Sequence, residues 1–156
     1  MGDLLNELNT PQVDADAIRN QLPFDRIIMR RGACFGPCPS YEITLSNDGW
    51  AQYVGLAFAE REGTYSGEVP LRTVVMLLLG AQKIGFIDLA GSYKEPPLID
   101  AASTTITLVA TGRGVSHQVS ASTGGGPPGF WLLAKAIDAV SREVAWQPTP
   151  STESRR

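Results

Sequence analysis

Two cysteines, Cys34 and Cys38, are the only thiols in 156 residues, and they stand in the run Cys34-Phe35-Gly36-Pro37-Cys38-Pro39-Ser40-Tyr41. A close cysteine pair suits three chemistries: thiol–disulfide exchange, metal ligation or a structural bridge. Exchange runs on the thiolate, and a thiol of ordinary acidity is only about 3% ionised at neutral pH. Thioredoxin-like enzymes overcome this by placing the first cysteine of Cys-x-x-Cys at a helix N-terminus, whose dipole favours the anion. Here the spacing is one residue longer. Pro39 and an alternating apolar pattern follow, which predict a strand and no helix end. A structural zinc ion wants four Cys or His donors, and the chain offers Cys34, Cys38 and His117, so a carboxylate would have to complete the set. A disulfide needs Cα atoms about 4.4–6.8 Å apart, which a turn over Gly36-Pro37 supplies and an extended run does not. Closing so short a loop contributes roughly 2 kcal/mol on the chain-entropy view. An oxidising compartment favours the bridge and a reducing one favours two buried thiols. The reading adopted is structural, with Cys34 and Cys38 shaping a corner between two strands and no metal or cofactor bound. Thiol–disulfide redox work by the same pair is the alternative.

Other reactive constellations are incomplete. Gly124-Gly125-Gly126-Pro127-Pro128-Gly129 resembles a phosphate loop only in glycine content. A Walker loop ends in Gly-Lys-Ser/Thr, and the two prolines remove amides that a phosphate would need. It is read as a flexible link and helix start. No Gly-x-Ser-x-Gly elbow is present, and His117 is read as a strand residue, satisfied or facing solvent. The carboxylates show no spacing that selects a glycosidase-like pair. Trp50, Tyr53, Phe58 and Tyr65 form a candidate ligand groove, set against their ordinary role in packing. With 13 Lys and Arg against 16 Asp and Glu, the net charge is −3. That argues against a nucleic-acid footprint and against an anionic-membrane binder. Arg26, Arg30 and Arg31 form a local basic knot, read as a solvated strand face.

The elements that position these residues follow from periodicity. Thr10-Pro11 signals a helix start, and Val13, Ala17 and Ile18 continue it to about residue 20, before Leu22-Pro23 ends it. Strands are expected over 26–31 and 41–46, the second with Tyr41, Ile43 and Leu45 alternating with Glu42, Thr44 and Ser46, one face buried and one wet. Asn47-Asp48-Gly49 turns the chain into strands over 50–55 and 64–69. Pro70 opens a helix with Leu71, Val74, Val75, Leu78 and Gln82 along one stripe, ended at Gly85. Residues 86–93 read as a short strand or extended stretch. A second pair of strands spans 104–110 and 115–121. A second helix carries Phe130, Leu133, Ala134, Ile137 and Val140 on its buried stripe and Asp138 among its polar positions, and Trp146 packs its end.

The fold class is therefore α+β: an antiparallel sheet, a meander plus a second hairpin, with two main helices packed on one face. The domain plan is an N-terminal appendage with a short helix over 1–24, a single domain over 25–146, and a disordered tail over 147–156, which has no apolar period. A chain of this size holds one core. No run reaches the ~18 apolar residues of a membrane span, so no membrane insertion is expected. No signal peptide is visible; the chain as written reads as cytoplasmic, and as exported if its natural start lies further upstream.

The signature Cys34-Phe35-Gly36-x-Cys38-Pro39-x-Tyr41, followed by the Asn-Asp-Gly turn and an aromatic-bearing strand, resembles a bacterial domain family of unknown function. That family has a Cys-Phe/Tyr-Gly-x-Cys-Pro-x-Tyr motif near its start. The resemblance runs over about 25–146 and implies a shared fold but no activity, and it marks Cys34, Phe35, Gly36, Cys38, Pro39 and Tyr41 as signature positions. Relatives often carry export signals. With no complete catalytic constellation, the expected function is a non-enzymatic binding or interaction module for a protein or small ligand.

Overall fold

The computed structural model describes residues 15–32, 37–93 and 102–149. Helix α1 spans Ala15–Gln21. Strands β1 (Arg26–Arg31), β2 (Tyr41–Ser46), β3 (Trp50–Gly55) and β4 (Gly63–Glu68) follow, then helix α2 (Leu71–Lys83). Strand β5 (Ser92–Tyr93), β6 (Ser103–Ala110), β7 (Val115–Ser122), helix α3 (Pro128–Glu143) and β8 (Gln147–Pro148) complete the order. The start expected for α1 at Thr10-Pro11 lies outside the described residues.

One eight-stranded sheet has the order β5-β7-β6-β1-β2-β3-β4-β8. Strands β1 to β4 pair consecutively, and the antiparallel β6–β7 pair joins the free edge of β1, with Met29 opposite Ile43 on one side and Ile106 on the other. The β5–β7 pair is parallel and the rest are antiparallel. Side chains alternate along a strand, and one alternation set is buried: Ile27, Met29, Ile43, Leu45, Ala51, Tyr53, Ile106, Leu108, Val119 and Ala121. They share one cluster with Val74, Leu77, Leu78 and Ala81 of α2 and with Phe130, Leu133, Ala134 and Ile137 of α3. These helix positions recur at three and four residues, as one helical stripe requires. Ile18 and Leu22 pack beside Val75 on another side of α2, and Leu22 and Phe24 also reach the main core.

Three expectations need correction. Residues 86–93 are not one strand: Phe86–Asp88 form a 3-10 turn after Gly85 in the left-handed conformation (φ 71°, ψ 38°), and only Ser92 and Tyr93 pair with β7. Phe86 is fully buried, and burying this one ring outweighs extended pairing. The second correction concerns 147–149. Gln147 and Pro148 pair with Ser66 and Tyr65, and the Thr149 N–H donates to the Thr64 carbonyl at 2.8 Å. Disorder thus does not begin at Gln147; residues 150–156 lie outside the described residues. The segment is held by backbone pairing to an open sheet edge, which leaves no apolar periodicity to read. Gly67 makes the crossing possible, since a Cβ there would stand 2.5 Å from Val144 Cγ1. Thirdly, Thr44 and Ser46 are buried although they alternate with Ile43 and Leu45. They are short side chains in a strand paired on both sides, with β1 and β3.

Candidate functional site

The described part of the cysteine corner is anchored by backbone bonds. Ser40 donates its N–H to the Ala57 carbonyl at 3.0 Å, and Leu56 donates its own to the Ser40 carbonyl at 2.8 Å. The entry to β2 is thereby tied to the loop that leaves β3. Gly55 lets that loop fold back: a Cβ there would lie 1.5 Å from the Arg61 carbonyl oxygen. At the loop's outer turn Phe58 holds φ 61°, the one described non-glycine residue with positive φ. That conformation costs roughly 1–2 kcal/mol for an L-residue. Leu56 and Phe58 stand 50% and 60% exposed beside the corner. Cys38 is half-buried, and no free cysteine is found among the described residues. Cys34, Phe35 and Gly36 lie outside them.

Next to the corner is a cavity of about 440 Å³ lined by Pro39, Tyr41, Tyr53, Glu60, Arg61, Asp138, Ser141 and Arg142. Three segments build it. Strands β2 and β3 bring Tyr41 and Tyr53 onto one face, their rings stacked at 5.7 Å and 17°. The folded-back loop brings Glu60 and Arg61. Asp138, Ser141 and Arg142 are three and four residues apart on α3, hence neighbours on one face of that helix. Tyr53 also meets Tyr65 edge-on at 6.1 Å and Trp146 at 5.7 Å, and the Trp146 indole N–H donates to the Ser141 carbonyl.

Asp138 is the charged hinge between α3 and the sheet. Arg31 donates to its Oδ2 at 2.6 Å, and the Tyr41 hydroxyl donates to its Oδ1 at 2.7 Å. Arg31 also donates to the Thr104 hydroxyl at 2.9 Å. Burial favours the neutral Arg31, but the hydrogen bond and charge of Asp138 overcome it and hold the guanidinium pKa above its ordinary value. Tyr41 is pushed up to about 12, first by burial and then by its bond to the Asp138 carboxylate, with Arg31 opposing. Burial also raises Tyr53, opposed by the backbone and the charge of Arg61.

The aromatic groove expected from Trp50, Tyr53, Phe58 and Tyr65 is not assembled as one surface. Tyr53 and Tyr65 meet, but Tyr53 is buried. Trp50 is three residues from Tyr53 and projects to the opposite face, where the Arg26 guanidinium lies over its ring at 5.6 Å. Trp50 instead borders a shallow surface depression with Asp48, Glu68 and Leu71. The basic knot is not a uniformly solvated face either: Arg30 pairs with Glu42 at 2.6 Å, and Arg31 is half-buried against Asp138. His117 packs edge-on against Phe86 at 5.6 Å. Its Nε2 is buried without a hydrogen-bond partner among the described residues, while the residue as a whole is partly exposed. Among those residues no three His, Cys, Asp or Glu gather where they could hold a metal ion, and no helix is long and apolar enough to cross a membrane.

Sequence reasoning singled out neither Asp138 nor Arg61, Ser141 and Arg142 as site residues. One signal was present for Asp138. It stands four residues after buried Ala134, on the margin of the apolar stripe, where a carboxylate requires a cationic or hydroxyl partner.

These features define a mixed helix and sheet domain with a mostly antiparallel sheet and a cavity of mixed polar and apolar lining beside the start of β2. Residues 25–141 match the family described as Domain of unknown function (DUF6438), and the chain belongs to that family. Among curated proteins no match to the chain is found.

Proposed function

We propose that this domain is a non-enzymatic binding module whose ligand end is the sheet end at the cysteine corner. The observation that carries the reading is the cavity of about 440 Å³ beside Pro39, Tyr41 and Tyr53. It lies within the range of small-molecule sites, and its walls come from two strands, a folded-back loop and a helix. In this reading the meander and second hairpin carry their two main helices on one face, and the corner end is where loop, sheet and helix leave a gap. Cys34 and Cys38 form a bridge that keeps the corner in shape. Its support is that Cys38 is not a free thiol and that the chain has one other cysteine. Strand β2 begins three residues after Cys38, so among the described residues no helix N-terminus of the kind that activates exchange thiols follows Cys38.

The test is a residue-resolved NMR titration of the oxidised protein with a fragment set of acidic, basic and neutral small molecules. Hits should move the resonances of Tyr41, Tyr53, Arg61 and Arg142. Hits confined to the Trp50 depression, or none at about 1 mM fragment, would overturn the reading.

A further inference from the structure

The walls of the corner cavity are not electrically neutral toward a guest. Arg61 and Arg142 both line it, with Glu60 and Asp138 as its carboxylates. Asp138 is already spent, since one oxygen accepts from Tyr41 and the other from Arg31. Glu60 is 82% exposed and lies 3.9 Å from Arg61, a distance and exposure at which pairing contributes little. Two cationic residues thus line the cavity against one loosely associated carboxylate. Tyr53 adds a hydroxyl. The residue stands among the lining of the same cavity as Arg61, and a phenol O–H can donate. The donors therefore outnumber the acceptors. The apolar part of the wall is planar and aromatic, made by the Tyr41 and Tyr53 rings with Pro39.

We infer that the cavity binds a small aromatic or planar molecule through a single oxyanion group, most simply a carboxylate held by Arg61 and Arg142 with the Tyr53 hydroxyl. Guanidinium is the donor whose planar fork matches a carboxylate. The remaining volume suits a flat body lying against Tyr41 and Pro39, since the Tyr53 ring is itself buried. This rests on the corner cavity being the binding end and adds the ligand class. The same carboxylate could belong to a free acid or to the C-terminus of a peptide, and the probes below separate these.

The experiment is an NMR titration of the full chain with 2-naphthoate, its neutral analogue 2-naphthamide, and the dipeptide N-acetyl-glycyl-phenylalanine. The proteins are the wild type and the folded variants Arg61→Gln, Arg142→Gln and Tyr53→Phe. The expected result is 2-naphthoate bound at the Tyr41 and Tyr53 resonances, with the amide at least about tenfold weaker. Each Gln variant should lose about tenfold and Tyr53→Phe less, as charge-assisted bonds exceed neutral ones. The peptide binding more tightly than the free acid would assign the carboxylate to a chain terminus, and the reverse to a free acid. Equal affinity for acid and amide, with the Gln variants unchanged, would overturn the oxyanion inference while leaving the cavity a binding site. No shift at the cavity with any probe up to about 10 mM would overturn both.

Discussion

Replacing Asp138 with alanine removes the only described carboxylate bonded to Arg31 and the acceptor of the Tyr41 hydroxyl at once. The side chains of Arg31 and Asp138 are 23% and 18% exposed, so the pair is neither a surface ion pair nor a fully buried one. Exposed pairs contribute about 0–1 kcal/mol and breaking a buried one costs about 3–5 kcal/mol. An intermediate burial places the loss near 2 kcal/mol, and the orphaned Tyr41 hydroxyl adds about 1 kcal/mol. The expected destabilisation of Asp138→Ala is therefore about 2–3 kcal/mol. With a urea dependence of about 2 kcal/mol per molar for a domain of this size, the midpoint should fall by about 1–1.5 M. The double variant Arg31→Met with Asp138→Leu should recover much of this, because neither charge is then left without its partner. The comparison is made by urea unfolding of the wild type, Arg31→Met, Asp138→Leu and the double variant as one cycle, with Asp138→Ala measured beside them. A single-variant loss below about 0.5 kcal/mol, or a double variant as unstable as the sum of the singles, would show that Asp138 does not tie α3 to the sheet.

Three further outcomes follow from the same geometry. Tyr41 is raised from 10.0 to about 12, so its contribution is complete below pH 10 and is lost as the pH climbs through about 12. Discounted for its partial exposure, that is about 1 kcal/mol, and Tyr41→Phe should flatten this part of the stability–pH curve measured by urea unfolding. Gly55→Ala places a Cβ against the Arg61 carbonyl, so the loop must move; thermal unfolding should show a loss of at least about 2 kcal/mol, with a changed NMR environment at Arg61. Gly67→Val pushes a side chain into Val144 and Ala145 and should release Gln147–Thr149 from β4, read as new protease cleavage near Trp146 with the core still folded.

The elements with strong periods were legible in the sequence. Strands β1, β2 and β3 fall where alternation and the Asn47-Asp48-Gly49 turn put them, since these signals are local. Pro70 and Pro128 likewise mark the starts of α2 and α3. What escaped depends on partners distant in sequence. Strands β5 and β8 are two residues each and exist because β7 and β4 offer open edges. The Arg31–Asp138 contact spans 107 positions, and no local pattern encodes it. The parity of Trp50 and Tyr53 on one strand was readable, and it separates them onto opposite faces. The fold-back that brings Arg61 to the cavity turns on Gly55, which in sequence is one more glycine at a strand end.

The claim that the cysteine pair supports the corner and performs no turnover is tested most directly by disulfide-reductase activity. The wild type is compared with the Cys34→Ser and Cys38→Ser double variant, both shown to be folded. The account predicts the same background rate for both, with the variant less stable by roughly 2 kcal/mol in oxidising buffer. Robust turnover by the wild type that vanishes in the folded variant would contradict it.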